Sequence, residues 1–323
     1  MPTTLPQLDL TWHTHGDPAA RAAFGRTLFE GLRDHGYVAV YGHGVSPQLV
    51  AAAHLAAERV FSASDADKAR CAGRLLGYTP FGVERAPHSQ AGDPKELWQI
   101  GQGGPYDRRN VWPACVPEAR VVWTELYDVL LGTGLRLLGA LAPNLGVEQD
   151  FFGSRILGGT SMLRVVHYPP VDEAAAVGAV RAPPREDIAL MTLMPAARGP
   201  GLQIRMPDRT WVPVEVDRGA LVVHAGDLMD HWTGGVLPAT THRVVHAPSR
   251  GTRSRYALPF FVQPRSDVVL DELPGRRSTK YPARPVTAGE LLEERLAEIG
   301  LPTAMPTLPP PDPPQAQQRS AAG

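Results

Sequence analysis

The sequence predicts a mainly β protein with flanking helices, built on an antiparallel sandwich or barrel. Two observations carry this. From Pro184 to Phe261 the chain passes through short runs rich in Val, Leu and Ile, each closed by Gly, Pro, Asp or Arg, the pattern of an antiparallel sandwich or barrel. On either side the apolar residues recur at helical spacing instead, as in Phe24, Leu28 and Leu32, or Leu291, Leu292, Leu296 and Ile299, which marks amphipathic helices.

In chain order, LPQLDL at 5 to 10 reads as a short entry strand. Asp17 and Pro18 open a helix that stops near Gly36, YVAVYGHGV at 37 to 45 is a strand running into a turn, and Ser46-Pro47 caps a second helix. Gly73 to Pro117 is rich in Gly and Pro, a long irregular connection of the kind that carries binding groups. Tyr78, Phe81, Glu84, Arg85 and Trp98 within it are substrate-pocket candidates. A long helical pattern runs from Glu118 to Leu145, SMLRVVHYPP at 161 to 170 is a core strand, and Asp172 to Pro184 reads as a surface loop. GDLMDHWTGG at 226 to 235 reads as a turn over the mouth of the barrel, and PVTAGELLEERLAEIGL at 285 to 301 as a closing helix. After Pro302, prolines, glutamines and small residues predict a disordered tail.

Composition narrows the function. The 323 residues are 43% hydrophobic and carry a net charge of −1, so nothing draws the chain electrostatically to nucleic acid or an acidic membrane; a small-molecule partner is expected. Two cysteines, Cys71 and Cys115, are too few for a disulfide framework. The N-terminus has neither a basic start nor an apolar run, and a cytoplasmic location is expected. Oligomeric state has no signature.

Certain pieces occur in a telling order: GLQI at 201 to 204, WVPV at 211 to 214, GALVVHAGD at 219 to 227, TTHRVVHAP at 240 to 248 and RYALPFF at 255 to 261. Together they resemble the iron(II)/2-oxoglutarate-dependent oxygenases, in the branch similar to isopenicillin N synthase. The resemblance covers residues 5 to 301 and implies a double-stranded β-helix core of the jelly-roll, cupin-like type. It divides the chain into an N-terminal helix and strand region with mouth loops (1–120), the oxygenase-like domain with bracing and closing helices (121–301) and the tail (302–323).

Two departures from the family pattern bear on chemistry. Such enzymes hold Fe(II) with two histidines and a carboxylate, in the order His-x-Asp or His-x-Glu and then a second His. The carboxylate falls on Asp187 and the later His on His242, 242 − 187 = 55 residues on, but the first position is Arg185. Arginine offers a metal no lone pair, and its charge near a dication opposes binding by roughly 8 kcal/mol at 4 Å and an effective dielectric of about 20. Its guanidinium is expected to pair with Asp187 and occupy the metal's place. In the cosubstrate site the resemblance implies Arg255 and Tyr168 as carboxylate-binding residues, but the expected Ser is Ala257, a lost donor worth about 1 kcal/mol.

The leading expectation is therefore an oxygenase-fold enzyme of small-molecule, specialised metabolism that has no cofactor. It would run a redox-neutral step, such as cyclisation, isomerisation, elimination or hydration, on Arg185, Asp187 and His242. The alternatives are an Fe(II)/2-oxoglutarate oxidoreductase using Asp187 and His242 with an incomplete triad, and a non-catalytic binder. His43, His54 and His167 read as structural, while His224 and His231 are unusual additions, His231 being within possible reach of the pocket.

Overall fold

A computed structural model describes residues 6–73, 75–85, 92–103, 110–170, 180–246, 253–271, 273–274, 285–299 and 301. The tail read at 302–323 lies outside the described residues, as does the part of the predicted surface loop at 171–179.

The N-terminal region forms β1 (Gln7–Asp9), α1 (Thr11–Thr14), α2 (Pro18–His35), β2 (Tyr37–Tyr41), α3 (Pro47–Phe61), α4 (Asp65–Ala69), β3 (Gly77–Thr79) and β4 (Glu96–Ile100). The helix starts are where capping chemistry puts them. The Asp17 carboxylate accepts from Ala20 N at 2.8 Å, the Ser46 hydroxyl accepts from Leu49 N at 3.0 Å, and each cap is followed by a first-turn proline. Gly36, at φ 80°, ends α2 in the left-handed conformation that glycine adopts without strain.

The rest comprises α5 (Glu118–Leu141), α6 (Gly153–Ile156), β5 (Met162–Tyr168), β6 (Val180–Arg185), β7 (Met191–Pro195), β8 (Leu202–Arg205), β9 (Trp211–Pro213), β10 (Leu221–Ala225), α7 (Asp227–Trp232), β11 (His242–Val245), β12 (Arg255–Ala257), β13 (Phe260–Val262) and α8 (Ala288–Glu298). The major sheet runs β1-β2-β10-β7-β13-β5-β4-β3, with β12 also pairing to β5, and the minor sheet runs β6-β11-β8-β9. Strands from both sides of residue 120 thus share one sheet, the jelly-roll core that the motifs imply.

Period-2 alternation assigns the two faces of the major sheet. Val38, Val40, Leu163, Val165, Leu193, Val223 and Phe260 join Leu28, Leu32, Val60, Leu126, Leu130 and Leu137 of the helices in the main core. Their neighbours Tyr37, Met194 and Val222 pack instead against Ile204 of the minor sheet, and Val166 and Tyr168 against Ala182 and Val244. Each fully buried leucine contributes about 2 kcal/mol. α5 is apolar and long enough to match a membrane span by composition, yet Trp123, Leu126, Leu130, Leu137 and Leu138 are buried in this core. Cys71 and Cys115 are free thiols.

Two sequence expectations change. Residues 180–185, of which the sequence pattern puts 180–184 in a surface loop, are strand β6. Pro183 and Pro184 suggest a loop because they cannot donate, but β6 is an edge strand of the minor sheet, where a missing N–H is tolerated. The turn assigned to 226–235 contains α7, whose Trp232 packs against the rings of Phe151 and Phe152 at 5.4 and 5.5 Å. Tertiary burial of Leu228, Met229 and Trp232 makes a helix of a segment too short to hold one alone.

Candidate active site

The side chains of Asp187, His224 and His242 converge between the two sheets, with ligand-type atoms within 4.8 Å of one another. Asp187 lies in the turn after β6, His224 on β10 and His242 at the head of β11, directly across from Arg185 on β6. His224 Nε2 stands 3.4 Å from Asp187 Oδ2, and His242 Nε2 3.6 Å from Asp187 Oδ1. The imidazole rings are 5.3 Å apart. On strand β10 His224 shares the face of Val222, which points at the minor sheet, so it meets the other two once the sheets stack.

Backbone carbonyls orient both rings. His224 Nδ1–H donates to Ala225 O at 3.3 Å and His242 Nδ1–H to Thr240 O at 3.2 Å, which leaves each Nε2 lone pair for the space beside Asp187. That arrangement is the usual one for metal-binding imidazoles. Burial pushes His224 down to about 4, so it is neutral and able to donate a lone pair. Burial would raise the Asp187 carboxyl, but the imidazoles of His242 and His224, the Thr192 hydroxyl at 2.8 Å and Arg164 hold it below the usual carboxylate range. Two imidazoles with Nε2 turned to the same space and one ionised carboxylate are the donor set of a non-haem Fe(II) site.

Contrary to the expectation from sequence, Arg185 does not pair with Asp187. Its guanidinium reaches outward to Glu84 Oε1 at 3.1 Å and to the Asp93 carboxylate, while its Nε–H donates to Pro183 O at 3.2 Å. Lys95, on both carboxylates, and Arg164, on Glu84, complete this buried cluster. Burial alone would raise Glu84; Arg164, Lys95 and Arg185 hold it at about 2 instead. Asp187 already has two imidazoles and a hydroxyl around it, whereas Glu84 and Asp93 are two anions buried side by side that need several cations between them. The guanidinium follows the larger electrostatic demand, and its charge is neutralised where it lies.

Two cavities meet at this point. An inner one of about 60 Å³ lies inside the barrel and includes Tyr168, Ala182, Asp187, His224, His242 and Arg255. An outer one of about 460 Å³ opens between β5, β13 and α8, with Met162, Ile188, Phe261, Leu292 and Leu296 among its apolar walls. Arg164, Arg185, Asp187 and Phe261 line both. Arg255 is buried in the wall of the inner cavity, over the Tyr168 ring at 5.3 Å, and β12 pairs it in register with Tyr168.

The other candidates stand elsewhere. Tyr78 is buried and donates to Glu96 at 2.6 Å; Trp98 is buried with Nε1–H donating to Val111 O at 2.9 Å; both are core packing. Phe81 is exposed, edge-on to His167, and His231 lies on α7; neither lines either cavity. None of these four lines the two cavities, and β3–β4 pairing turns Tyr78 and Trp98 into the helical layer. His167 is held by Glu96 and Ser254 and stacked on Tyr256, outside the barrel. His224 is the residue that motif reading passes over. The sequence marks it only as an unusual addition, and its strand parity with Val222 is the signal that places it.

The 2OG-Fe(II) oxygenase superfamily model matches residues 159–264, and the model of the N-terminal region of a non-haem dioxygenase in morphine synthesis matches residues 5–115. A protein assigned to the 2OG-Fe(II) oxygenase family from Caulobacter crescentus is 32% identical, with TM-score 0.80, over 92% of this chain and 99% of its own. The 2-oxoglutarate-Fe(II) type oxidoreductase hxnY of Emericella nidulans is 29% identical over 90% of this chain and 89% of its own length. A full-length Neurospora crassa protein, solved in complex with alpha-KG, is 22% identical at TM-score 0.81 over 91% of this chain and 96% of its own, a likeness of fold.

These findings overturn the expectation that the protein has no cofactor. The matching family is one of Fe(II) and 2-oxoglutarate, and a carboxylate with two imidazoles stands where the metal belongs. Spacing along the one motif reaches Asp187 and His242 alone, whereas His224 comes to the same point from a different strand. With three donors gathered and the arginine turned aside, motif, fold and relatives agree, and the chain is an enzyme of the 2-oxoglutarate/Fe(II) oxygenase superfamily.

Proposed function

We propose that the protein is an Fe(II)- and 2-oxoglutarate-dependent oxidoreductase that hydroxylates or desaturates a small molecule of specialised metabolism. The observation that supports this most is the convergence of His224 and His242 on Asp187 with both Nδ1–H groups tied to carbonyls. In this reading Asp187, His224 and His242 hold the iron, which supplies dioxygen activation at its remaining positions. Arg255 and Tyr168 receive the far carboxylate of 2-oxoglutarate in the inner cavity. The outer cavity takes the substrate, its apolar walls excluding water while Arg164 and Arg185 border the junction of the two spaces. Fungal relatives named as 2-oxoglutarate-Fe(II) type oxidoreductases support the reaction type. The two free cysteines suit the reducing cytoplasm, and the partner is a small molecule.

The test is anaerobic Fe(II) titration of the purified protein, followed by succinate release from 2-oxoglutarate in air. Stoichiometric iron uptake, lowered at least about tenfold by His224→Ala, and iron-dependent succinate are expected. Iron uptake that ignores His224→Ala removes that residue from the site; no uptake at all ends the reading.

A further inference from the structure

Two arginines, Arg255 on β12 and Arg181 on β6, are buried, and no carboxylate among the described residues meets either. Arg255 is 3% exposed; its Nε–H donates to Pro200 O at 3.2 Å and its guanidinium lies over the Tyr168 ring. Arg181, on β6, is 5% exposed and adjoins Ala182, which lines the inner cavity. Its Nη2 donates to Arg253 O at 3.0 Å, two residues before Arg255, and faces His246 Nδ1 at 3.4 Å. Its Nη1 is buried without a hydrogen-bond partner.

One uncompensated buried cation is costly, and two fastened to the same short segment are costlier still. Burial depresses the proton affinity of both arginines. The Tyr168 phenol counteracts this at each, while the charge of Arg181 depresses Arg255 further. Such an arrangement fits a site whose counter-charge arrives with a ligand. At residue 257, where the resembled family supplies a serine hydroxyl, this chain has only a methyl group. The orphaned Nη1 belongs to Arg181, whose chain neighbour Ala182 packs in one cluster with Ala257 and Tyr168.

We propose that Arg181 is a second cation of the cosubstrate pocket, which with Arg255 cradles the distal carboxylate of a 2-oxo dicarboxylate in place of an arginine–hydroxyl pair. This rests on the oxidoreductase reading above. Two guanidinium groups on one carboxylate favour a dianion over a 2-oxo monocarboxylate more steeply than one does, because charge-assisted donors contribute most to an ionised partner.

The experiment is anaerobic calorimetric titration of the Fe(II)-loaded protein with 2-oxoglutarate and with 2-oxobutyrate, which lacks the distal carboxylate, for wild type, Arg181→Gln and Arg181→Lys. Arg181→Gln is expected to weaken 2-oxoglutarate at least about tenfold with 2-oxobutyrate unchanged, and Arg181→Lys to recover most of the loss. Should Arg181→Gln not fold, Arg181→Lys alone is read, and a several-fold fall in the 2-oxoglutarate preference is expected. A preference unchanged by substitution, or equal weakening of both acids, overturns the inference and leaves the oxidoreductase reading intact. Wild-type protein that binds neither acid overturns both.

Discussion

The imidazole of His224 stands 3.4 Å from the Asp187 carboxylate, although one residue lies on β10 and the other in the turn after β6, 224 − 187 = 37 positions apart in sequence. Arg185, two positions before Asp187, points the other way, into Glu84 and Asp93. The metal-type donor set and the arginine that replaces the family's histidine therefore occupy separate places.

Arg185 is expected to act on stability and not on metal binding. Arg185→Met leaves Glu84 and Asp93 with one cation fewer in a buried cluster, a loss of about 3 kcal/mol. Urea denaturation should show the lower midpoint, while Fe(II) stoichiometry stays at the wild-type value. A variant of wild-type stability that binds iron more tightly would return the guanidinium to the metal's place.

Arg255→Met is expected to have opposite effects on stability and function. Removing a buried cation that no carboxylate among the described residues meets should raise the stability of the ligand-free protein by about 1 to 3 kcal/mol, as replacement of buried charges by apolar groups of similar volume does. 2-Oxoglutarate binding, followed by calorimetry, should be lost. Retained binding would place the cosubstrate elsewhere.

Acid sensitivity should be traceable to His54, which burial pushes down to about 4 despite its contact with Ala196 O. The unfolded chain takes up the proton near the ordinary value of about 6.5, so the unfolded state gains protons first. Stability is then full above that value and declines as pH falls towards 4, by up to roughly 3 kcal/mol for this group. His54→Gln, whose amide can still donate to Ala196 O, should remove that part of the slope. Denaturation midpoints compared at neutral pH and near pH 4.5 measure it, and a slope unaltered by the substitution would assign it to other groups.

Gly226 should tolerate no side chain. A Cβ there would come 2.5 Å from Asp187 O and closer still to Ala189 O, at the point where Asp227 N donates to Asp187 O at 2.8 Å. Gly226→Ala is expected to cost at least about 2 kcal/mol and to displace the turn that carries Asp187, lowering Fe(II) affinity as well as the melting temperature. Unchanged iron affinity in a folded variant would show that this approach of the chain after β10 to the turn does not position the carboxylate.

Much of the fold was legible because local chemistry marks it. Asp17 and Ser46 cap helices in the structure as their neighbours in sequence suggest. α7 and β6 were misread because a six-residue helix and a proline-bearing strand owe their form to neighbours rather than to propensity. Tyr78 and Trp98 were placed in a pocket because a Gly- and Pro-rich connection looks like a mouth. β3–β4 pairing buries them instead.

By itself the sequence determined the jelly-roll family and most of the strand and helix order, and it put forward two members of the candidate site, Asp187 and His242. These follow from apolar periodicity and from motifs read along one stretch of chain. Tertiary structure decided what the change at position 185 means. A side chain's direction depends on which charges the fold buries near it, so only the stacked sheets could turn Arg185 towards Glu84 and bring His224 to the carboxylate.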